Sequence, residues 1–146
     1  MRRGSMESTN YMNPKYWLIG VGAVNLLFSL YNFFDASGVA EIALTDHYGA
    51  LSDRELAIAT GYEEGWGLFG IPYGILAIGA GLVLDSDGQA KMALVSGLAF
   101  IATFPILLYV SGTNNYGVPL EQFAPVFLLL GLLTLSGYMH LNKEEE

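Results

Sequence analysis

The chain contains no cysteine and few charged residues among its 146 positions. The absence of cysteine excludes disulfide bonds, thiol catalysis and thiolate metal ligands. Charged residues make up 14% of the sequence, against about 25% in a typical soluble protein. Only six of them are Lys or Arg, so the chain lacks the basic patches that nucleic-acid binding requires. This scarcity of charge indicates a membrane protein or an unusually large apolar core.

Apolar residues are abundant and fall into four uncharged runs, at 16–34, 66–84, 92–111 and 123–141. A helix needs about 20 apolar residues to cross the hydrocarbon of a bilayer, and each run has that length. A helix is also the only single segment that satisfies its own backbone in lipid. The sequence therefore predicts an all-α fold, an antiparallel four-helix transmembrane bundle. A soluble bundle is the alternative, but its helices would show a polar face.

The predicted membrane domain spans 16–141, between two short tails. The tail at 1–15 begins with "MRRGSM", which is typical of a vector-derived tag. The tail at 142–146 is acidic. The 35–65 loop between the first two spans is long enough to form a lid.

The few basic residues predict the orientation of the spans. Lys15, Lys91 and Lys143 fall on the side of the chain ends, whereas the opposite side carries only Arg54. The positive-inside rule then places both termini in the cytoplasm, in a bacterial inner membrane. The opposite side carries eight acidic residues, and such a face repels anions and tolerates cations. For most of these acids the simpler interpretation is a solvated surface.

The long first loop contains helix signals. Ser52 and Glu55 have the spacing of a capping box, which predicts a short amphipathic helix over Asp53–Thr60 that ends at Gly61. The segment "SGVAEIAL" predicts another turn or two of helix. Together these short amphipathic helices form either a lid over the outer end of the bundle or a connector that rests on the lipid headgroups.

Three polar residues of the first span, Asn25, Ser29 and Asn32, follow the spacing of one helical face. Because lipid does not solvate amides, we expect this stripe to face the other helices. One interpretation is that it hydrogen-bonds across a helix pair. The other is that it forms the polar wall of a ligand cavity.

Two adjacent carboxylates, Glu63 and Glu64, precede the second span. Glu63 lies on the same side as small residues spaced to let a neighbouring helix approach, which are Gly67, Gly70, Gly74, Ala77 and Gly81. We expect Glu63 to face the interior of the bundle and Glu64 to reach water or the lid. A competing explanation is that both acids stabilise the positive end of a helix that begins there.

The remaining candidates are aromatic or titratable. Trp66 and Tyr73 lie along one side of the second span and are candidate ligand-binding residues, with Glu64 and the polar stripe of the first span. His47 in the outer loop titrates in the range useful for acid or base work. No arrangement of residues predicts a metal site.

The layout of the chain resembles the DoxX-like small membrane proteins. The resemblance covers roughly 17–112, with "DASGVAEI" after a short first span and "GYEEGWGLFG" at the start of the second. It implies a four-helix bundle linked to quinone-coupled redox complexes or to small-molecule conversion in the membrane. A more distant similarity to membrane sterol isomerases, which use carboxylates in an aromatic cavity, would give Glu63 and Asp35 a catalytic role.

The sequence thus predicts an integral membrane protein that binds a small apolar ligand, a lipid, quinone or isoprenoid, inside the membrane. Proton-transfer chemistry such as isomerisation would use Glu63, Asp35 or His47 as acid or base. No cofactor is evident, although a quinone would fit. The alternatives are a non-catalytic subunit of a redox or transport complex and a conductor of protons or small cations. The predicted partners are membrane lipid and either further copies of the chain or a larger membrane complex.

Overall fold

The computed structural model describes residues 11–117 and 119–141, and all regular secondary structure in these residues is helical. The elements are α1 (Pro14–Phe34), α2 (Ala36–Tyr48), α3 (Asp53–Val83), α4 (Ser86–Thr113), a 3₁₀ helix (Leu120–Phe123) and α5 (Ala124–Tyr138). Four helical segments are long and apolar enough to cross a membrane, namely α1, α3, α4 and the stretch at 120–138. The predicted all-α class with four such segments is confirmed. The "MRRGSM" segment, Lys143 and the acidic tail lie outside the described residues.

The capping box at the start of α3 is confirmed. The Ser52 side chain accepts from the Glu55 backbone N–H, and the Glu55 carboxylate accepts from the Ser52 backbone N–H at 2.9 Å. The predicted end of this helix at Gly61 is wrong, because α3 continues without interruption to Val83. A glycine inside a helix costs only about 1 kcal/mol relative to alanine. Packing against the rest of the chain offsets that cost.

The length of α3 places its first turns outside the hydrocarbon. Its 31 residues span about 46 Å at a rise of 1.5 Å per residue, whereas the hydrocarbon is about 30 Å thick. The long first loop is therefore mostly helical, with α2 directly after α1 and the first turns of α3 after a short link. The helix α2 ends at Gly49, whose φ of +70° is in the region that favours glycine.

Glycines bring α1 and α3 into backbone contact. A Cβ added at Gly67 would lie 2.7 Å from the Phe33 nitrogen, and one at Gly74 would lie 2.8 Å from the Gly22 carbonyl oxygen. Near the other end, a Cβ at Gly81 would lie 2.9 Å from the Lys15 carbonyl oxygen. The start of α1 thus meets the end of α3, so the two helices run in opposite directions.

The helices α4 and α5 form a second pair that also depends on glycine. A Cβ added at Gly137 would lie 2.5 Å from the Leu94 nitrogen and 2.6 Å from the Ala90 carbonyl oxygen. Nearer the middle of the pair, Gly97 lies directly against Thr134. These two helices therefore also run in opposite directions.

The two pairs meet in a small apolar core near the turn between α3 and α4. Its members are Leu18, Ala80, Ala93 and Leu133, and the side chains of Trp17 and Val21 pack against it. Farther along, the Tyr73 and Phe100 rings meet edge to face, with centroids 6.0 Å apart. Many large apolar side chains on α3 and α4 remain exposed beyond this core. The core therefore joins the two helix pairs at the end of the molecule that carries the 84–86 turn.

Candidate functional site

A buried carboxylate lies at the other end of the first helix pair. Glu63 of α3 is only 5% exposed. The Asn32 side chain on α1 donates from Nδ2 to the Glu63 Oε2 at 2.8 Å and to the Glu63 backbone oxygen at 2.9 Å. The Tyr116 hydroxyl, from the segment between α4 and α5, donates to the other carboxyl oxygen. Three separate parts of the chain thus converge on one acidic side chain.

Neutral groups satisfy this carboxylate. Among the described residues, Lys91 and Asp87 on α4 form an ion pair. No Lys, Arg or His in the described part of the chain forms an ion pair with Glu63. Burying a carboxylate without a cationic partner costs several kcal/mol unless hydrogen bonds compensate. Both oxygens of Glu63 act as acceptors here. The burial therefore depends on the amide of Asn32 and the hydroxyl of Tyr116.

The position of Glu63 along α3 excludes the explanation based on the positive helix end. Because α3 begins at Asp53, Glu63 and Glu64 lie about three turns from its start, beyond the first turn to which the dipole effect is confined. Asp53 and Glu55 are the acids of the first turn. The two carboxylates also differ as predicted from their helical faces, with Glu63 buried and Glu64 exposed.

No sequence pattern pointed to Tyr116, which only the tertiary contacts bring to Glu63. The ring of Tyr116 also meets the Tyr62 ring edge to face, with centroids 5.4 Å apart. Burial, and then the hydrogen bond to Glu63, raise the pKa of the Tyr116 hydroxyl above its ordinary value. The phenol therefore keeps its proton and remains the donor in this contact. A tyrosine in a loop after an apolar helix usually signals an interfacial anchor.

Four aromatic residues, Tyr62, Trp66, Phe69 and Tyr73, share one face of α3. We call them the aromatic stripe. It starts beside Glu63, and all four rings are about half exposed or more. Edge-to-face contacts join Phe69 to Tyr73 and Tyr73 to Phe100 of α4. The aromatic stripe therefore forms an apolar path from the buried carboxylate toward the middle of the span.

The predicted polar stripe of α1 faces α3 along its length. Asn25 donates from Nδ2 to the Gly70 carbonyl oxygen at 2.8 Å, and Ser29 is buried against Gly70. Asn32 completes the series at Glu63. The contacts of Asn25 and Ser29 are those of residues that hold a helix pair together. Asn32 differs because its partner is a carboxylate.

Three further predicted candidates are exposed and are not buried with Glu63. Glu64 is exposed, and so are Asp35 and His47. Asp35 lies at the break between α1 and α2, next to the Tyr31 hydroxyl. The His47 ring meets the Tyr48 ring at the end of α2, with centroids 6.4 Å apart. Their proposed roles as acids or bases stay predictions.

An apolar groove lies at the opposite end of the molecule, between α1 and α5. It has a volume of about 330 Å³, and its walls include Trp17, Val24 and Leu129. Glu63 does not line it. The groove is mostly apolar, so it offers mainly a contact for hydrocarbon, and Tyr11 and Tyr16 are the residues with hydroxyl groups in its walls.

No family model matches the chain, and no curated protein and no solved structure is detectably similar to it. Among the described residues, no group of three or more His, Asp or Glu side chains is placed to hold a metal ion. The DoxX-like resemblance therefore stays a prediction. The four long apolar helices and their exposed apolar surface place the chain in the class of helical membrane proteins.

Proposed function

We propose that the chain is an integral protein of a bacterial inner membrane, in which α1, α3, α4 and the 120–138 stretch form an antiparallel transmembrane bundle. The opposite directions within each helix pair support this arrangement. Lys15 and Lys91 lie at the end that carries the 84–86 turn, and Arg54 lies at the other end. The positive-inside rule then puts both termini in the cytoplasm. In this arrangement α2 lies at the outer surface as an amphipathic lid.

The orientation is testable because the chain has no native cysteine. Ala50 lies in the link between α2 and α3, and Ser86 begins α4 at the opposite end, with both residues exposed. We expect a membrane-impermeant maleimide to label the Ala50→Cys variant in spheroplasts. The Ser86→Cys variant should react only after the membrane is opened. The reverse pattern would contradict the orientation.

Within this bundle, the proposed activity is the binding of a small apolar membrane molecule, a lipid, quinone or isoprenoid. Its hydrocarbon would lie along the aromatic stripe, and its polar end would reach the carboxyl group of Glu63, which Asn32 holds in place. The observation that carries this proposal is that Glu63 is buried without a cationic partner, beside the end of the aromatic stripe that starts at Tyr62. Burying an ionisable side chain without a cationic partner is costly, so Glu63, at the edge of the predicted second span, marks a candidate site.

The same cluster is suited to proton transfer. A buried carboxyl group can donate a proton to, or accept one from, the polar end of a substrate bound beside it. Isomerisation is a reaction of this kind. Asn32 would hold the carboxyl group in place, because it contacts both the side chain and the backbone of Glu63.

The second candidate function is that of a non-catalytic subunit. The specific observation in its favour is the exposed outer half of α4, where Ile106, Tyr109 and Val110 are about half exposed or more. A second copy or a larger membrane complex would cover such a face. Conduction receives the least support, because Ser96, Thr103 and Thr134 each donate to a carbonyl of their own helix.

The ligand proposal is tested by native mass spectrometry of the protein purified from its membrane. We expect a retained lipid, and we expect Glu63→Gln to lower the retained fraction about tenfold, the loss typical of a hydrogen bond to a charged group. Glu41→Gln is the matched control, since Glu41 is an exposed acid on α2. Equal retention by the Glu63→Gln variant and the unmodified protein would contradict the proposal.

A further inference from the structure

The ring of Tyr116 occupies the end of the proposed ligand site that contains Glu63. Its hydroxyl donates to the Glu63 carboxyl group, and its edge-to-face contact with Tyr62 covers the first residue of the aromatic stripe. A phenol ring with a hydroxyl donor thus already fills the place where the polar end of a ligand would bind. The contacts of the Tyr116 ring therefore indicate which chemical groups a ligand of this site must have.

The segment that carries Tyr116 is bonded to the end of α4, where the Tyr116 N–H donates to the Ser111 carbonyl oxygen at 3.0 Å, and to α2. The Gly117 N–H donates to the Ala43 carbonyl oxygen at 3.1 Å, and the Tyr48 hydroxyl donates to the Asn114 carbonyl oxygen at 3.3 Å. Both partners belong to α2, so the segment between α4 and α5 bridges to the proposed lid. The Gly117 φ of +98° is in the region that favours glycine. The Tyr116 side chain takes no part in the close glycine contacts of either helix pair, so its withdrawal leaves those contacts intact.

Withdrawal of Tyr116 would also leave Glu63 with an unsatisfied oxygen. Asn32 contacts Oε2, whereas Tyr116 contacts Oε1. Within the described part of the chain, every buried side-chain nitrogen and oxygen has a partner, and for Oε1 that partner is the tyrosine. A ligand that replaces Tyr116 must therefore bring its own hydrogen-bond donor. A ketone or ether oxygen, which only accepts, does not meet this requirement.

We infer that Tyr116 is an internal, displaceable occupant of a site for a phenolic membrane ligand, that is, a hydroxylated aromatic ring on an apolar tail. The hydroxyl of the ligand donates to Glu63, its ring takes the place of the Tyr116 ring against Tyr62, and its tail follows Trp66 and Phe69. This inference rests on the proposed function, because it names the ligand class of the same site. It also makes the contact of Tyr116 autoinhibitory, since the ring must leave before the ligand binds.

The test compares two probes that differ in one donor, 4-octylphenol and its methyl ether 4-octylanisole. Binding to the purified full chain is measured by native mass spectrometry over a range of probe concentrations. A site that is mostly closed has an apparent Kd raised by the fraction of molecules that are open. We therefore expect Tyr116→Ala to lower the apparent Kd of 4-octylphenol about tenfold and to leave that of 4-octylanisole unchanged.

Two further variants keep the test valid if Tyr116→Ala folds poorly. Tyr116→Phe retains the contact with Tyr62 but loses the donor, so it should produce a smaller gain for 4-octylphenol. Glu63→Gln combined with Tyr116→Ala should abolish the gain. Tyr109→Ala removes an exposed tyrosine of α4 and should change neither Kd.

The inference is overturned if Tyr116→Ala and Tyr116→Phe leave the binding of 4-octylphenol unchanged, or if both probes gain equally. If this occurs while Glu63→Gln still lowers retention of the native lipid, the phenolic class is wrong and the proposed function stands. If retention of the native lipid is also independent of Glu63, the proposed function itself is wrong.

Discussion

The two helix pairs are built alike but use their polar side chains in opposite ways. Glycines bring the backbones together in the α1–α3 pair and in the α4–α5 pair. In the first pair, Asn25 and Asn32 donate to the neighbouring helix. In the second pair, the hydroxyls of Thr103 and Thr134 donate to carbonyls four residues earlier in their own helices. The two amides of the first pair join its helices, whereas these two hydroxyls of the second pair are satisfied within their own helices.

The difference follows from side-chain chemistry. A Ser or Thr hydroxyl reaches the carbonyl of the preceding turn, so it needs no neighbour in lipid. An Asn amide has two donors and an acceptor, which its own helix does not satisfy, so it requires a partner on another helix. The amides of α1 therefore specify which helix lies beside it. In α4, the amide of Gln89 donates to the Gly81 carbonyl oxygen of α3, so in the described residues no side-chain amide joins α4 to α5.

The largest effect should come from adding one methyl group to a glycine in either pair. Gly67→Ala and Gly137→Ala place a Cβ within 2.7 Å of a backbone nitrogen of the facing helix. Because the backbones must separate, we expect a loss of about 1–3 kcal/mol in the free energy of unfolding. Thermal unfolding in detergent, followed by circular dichroism, measures the loss.

The matched controls are Gly79→Ala in α3 and Gly131→Ala in α5, where an added Cβ meets nothing within 4 Å. These substitutions should stabilise the protein by about 0.5–1 kcal/mol, because alanine favours the helix more than glycine does. If all four variants changed stability in the same direction, close backbone packing would not be what holds the pairs together.

A smaller effect should separate the two pairs from each other. Asn25→Leu removes the hydrogen bond to the Gly70 carbonyl, and interhelical hydrogen bonds in membrane proteins contribute about 0.6 kcal/mol on average and about 1.7 at most. We expect a loss in that range, measured by the same unfolding experiment. The variant should keep the Glu63 cluster intact, since Asn32 and Tyr116 are unchanged.

Thr103→Val is the counterpart in the second pair. It removes a bond within α4 and should change stability by less than about 0.5 kcal/mol, as surface substitutions usually do. Equal losses for Asn25→Leu and Thr103→Val would show that the contrast between the pairs has no energetic basis.

Several features of the fold were predictable because they depend on local chemistry. The four long apolar helices follow from run length, and the helix start at Ser52 follows from the spacing of Ser52 and Glu55. The end of that helix was wrong at Gly61, because glycine only weakly disfavours a helix when tertiary packing supports it. In α2 the buried side chains are Ala36, Ala40 and Ala43.

The candidate site was predictable only in part. Helical periodicity placed Glu63 on the inner face of α3 and Asn32 on a polar face of α1, and these two side chains are in contact. It said nothing of Tyr116, which is 53 residues from Glu63 along the chain. Asp35 and His47 were grouped with Glu63 on chemical type, and the structure places both in exposed positions.

Composition was enough to predict that the chain forms long apolar helices. The 3.6-residue period was enough to predict which face of each helix carries polar or small residues. The pairing of the helices became known only from the fold. The same holds for the contact between the loop residue Tyr116 and the second carboxyl oxygen of Glu63. Such contacts depend on distances between residues that are remote in the chain. No local pattern encodes those distances.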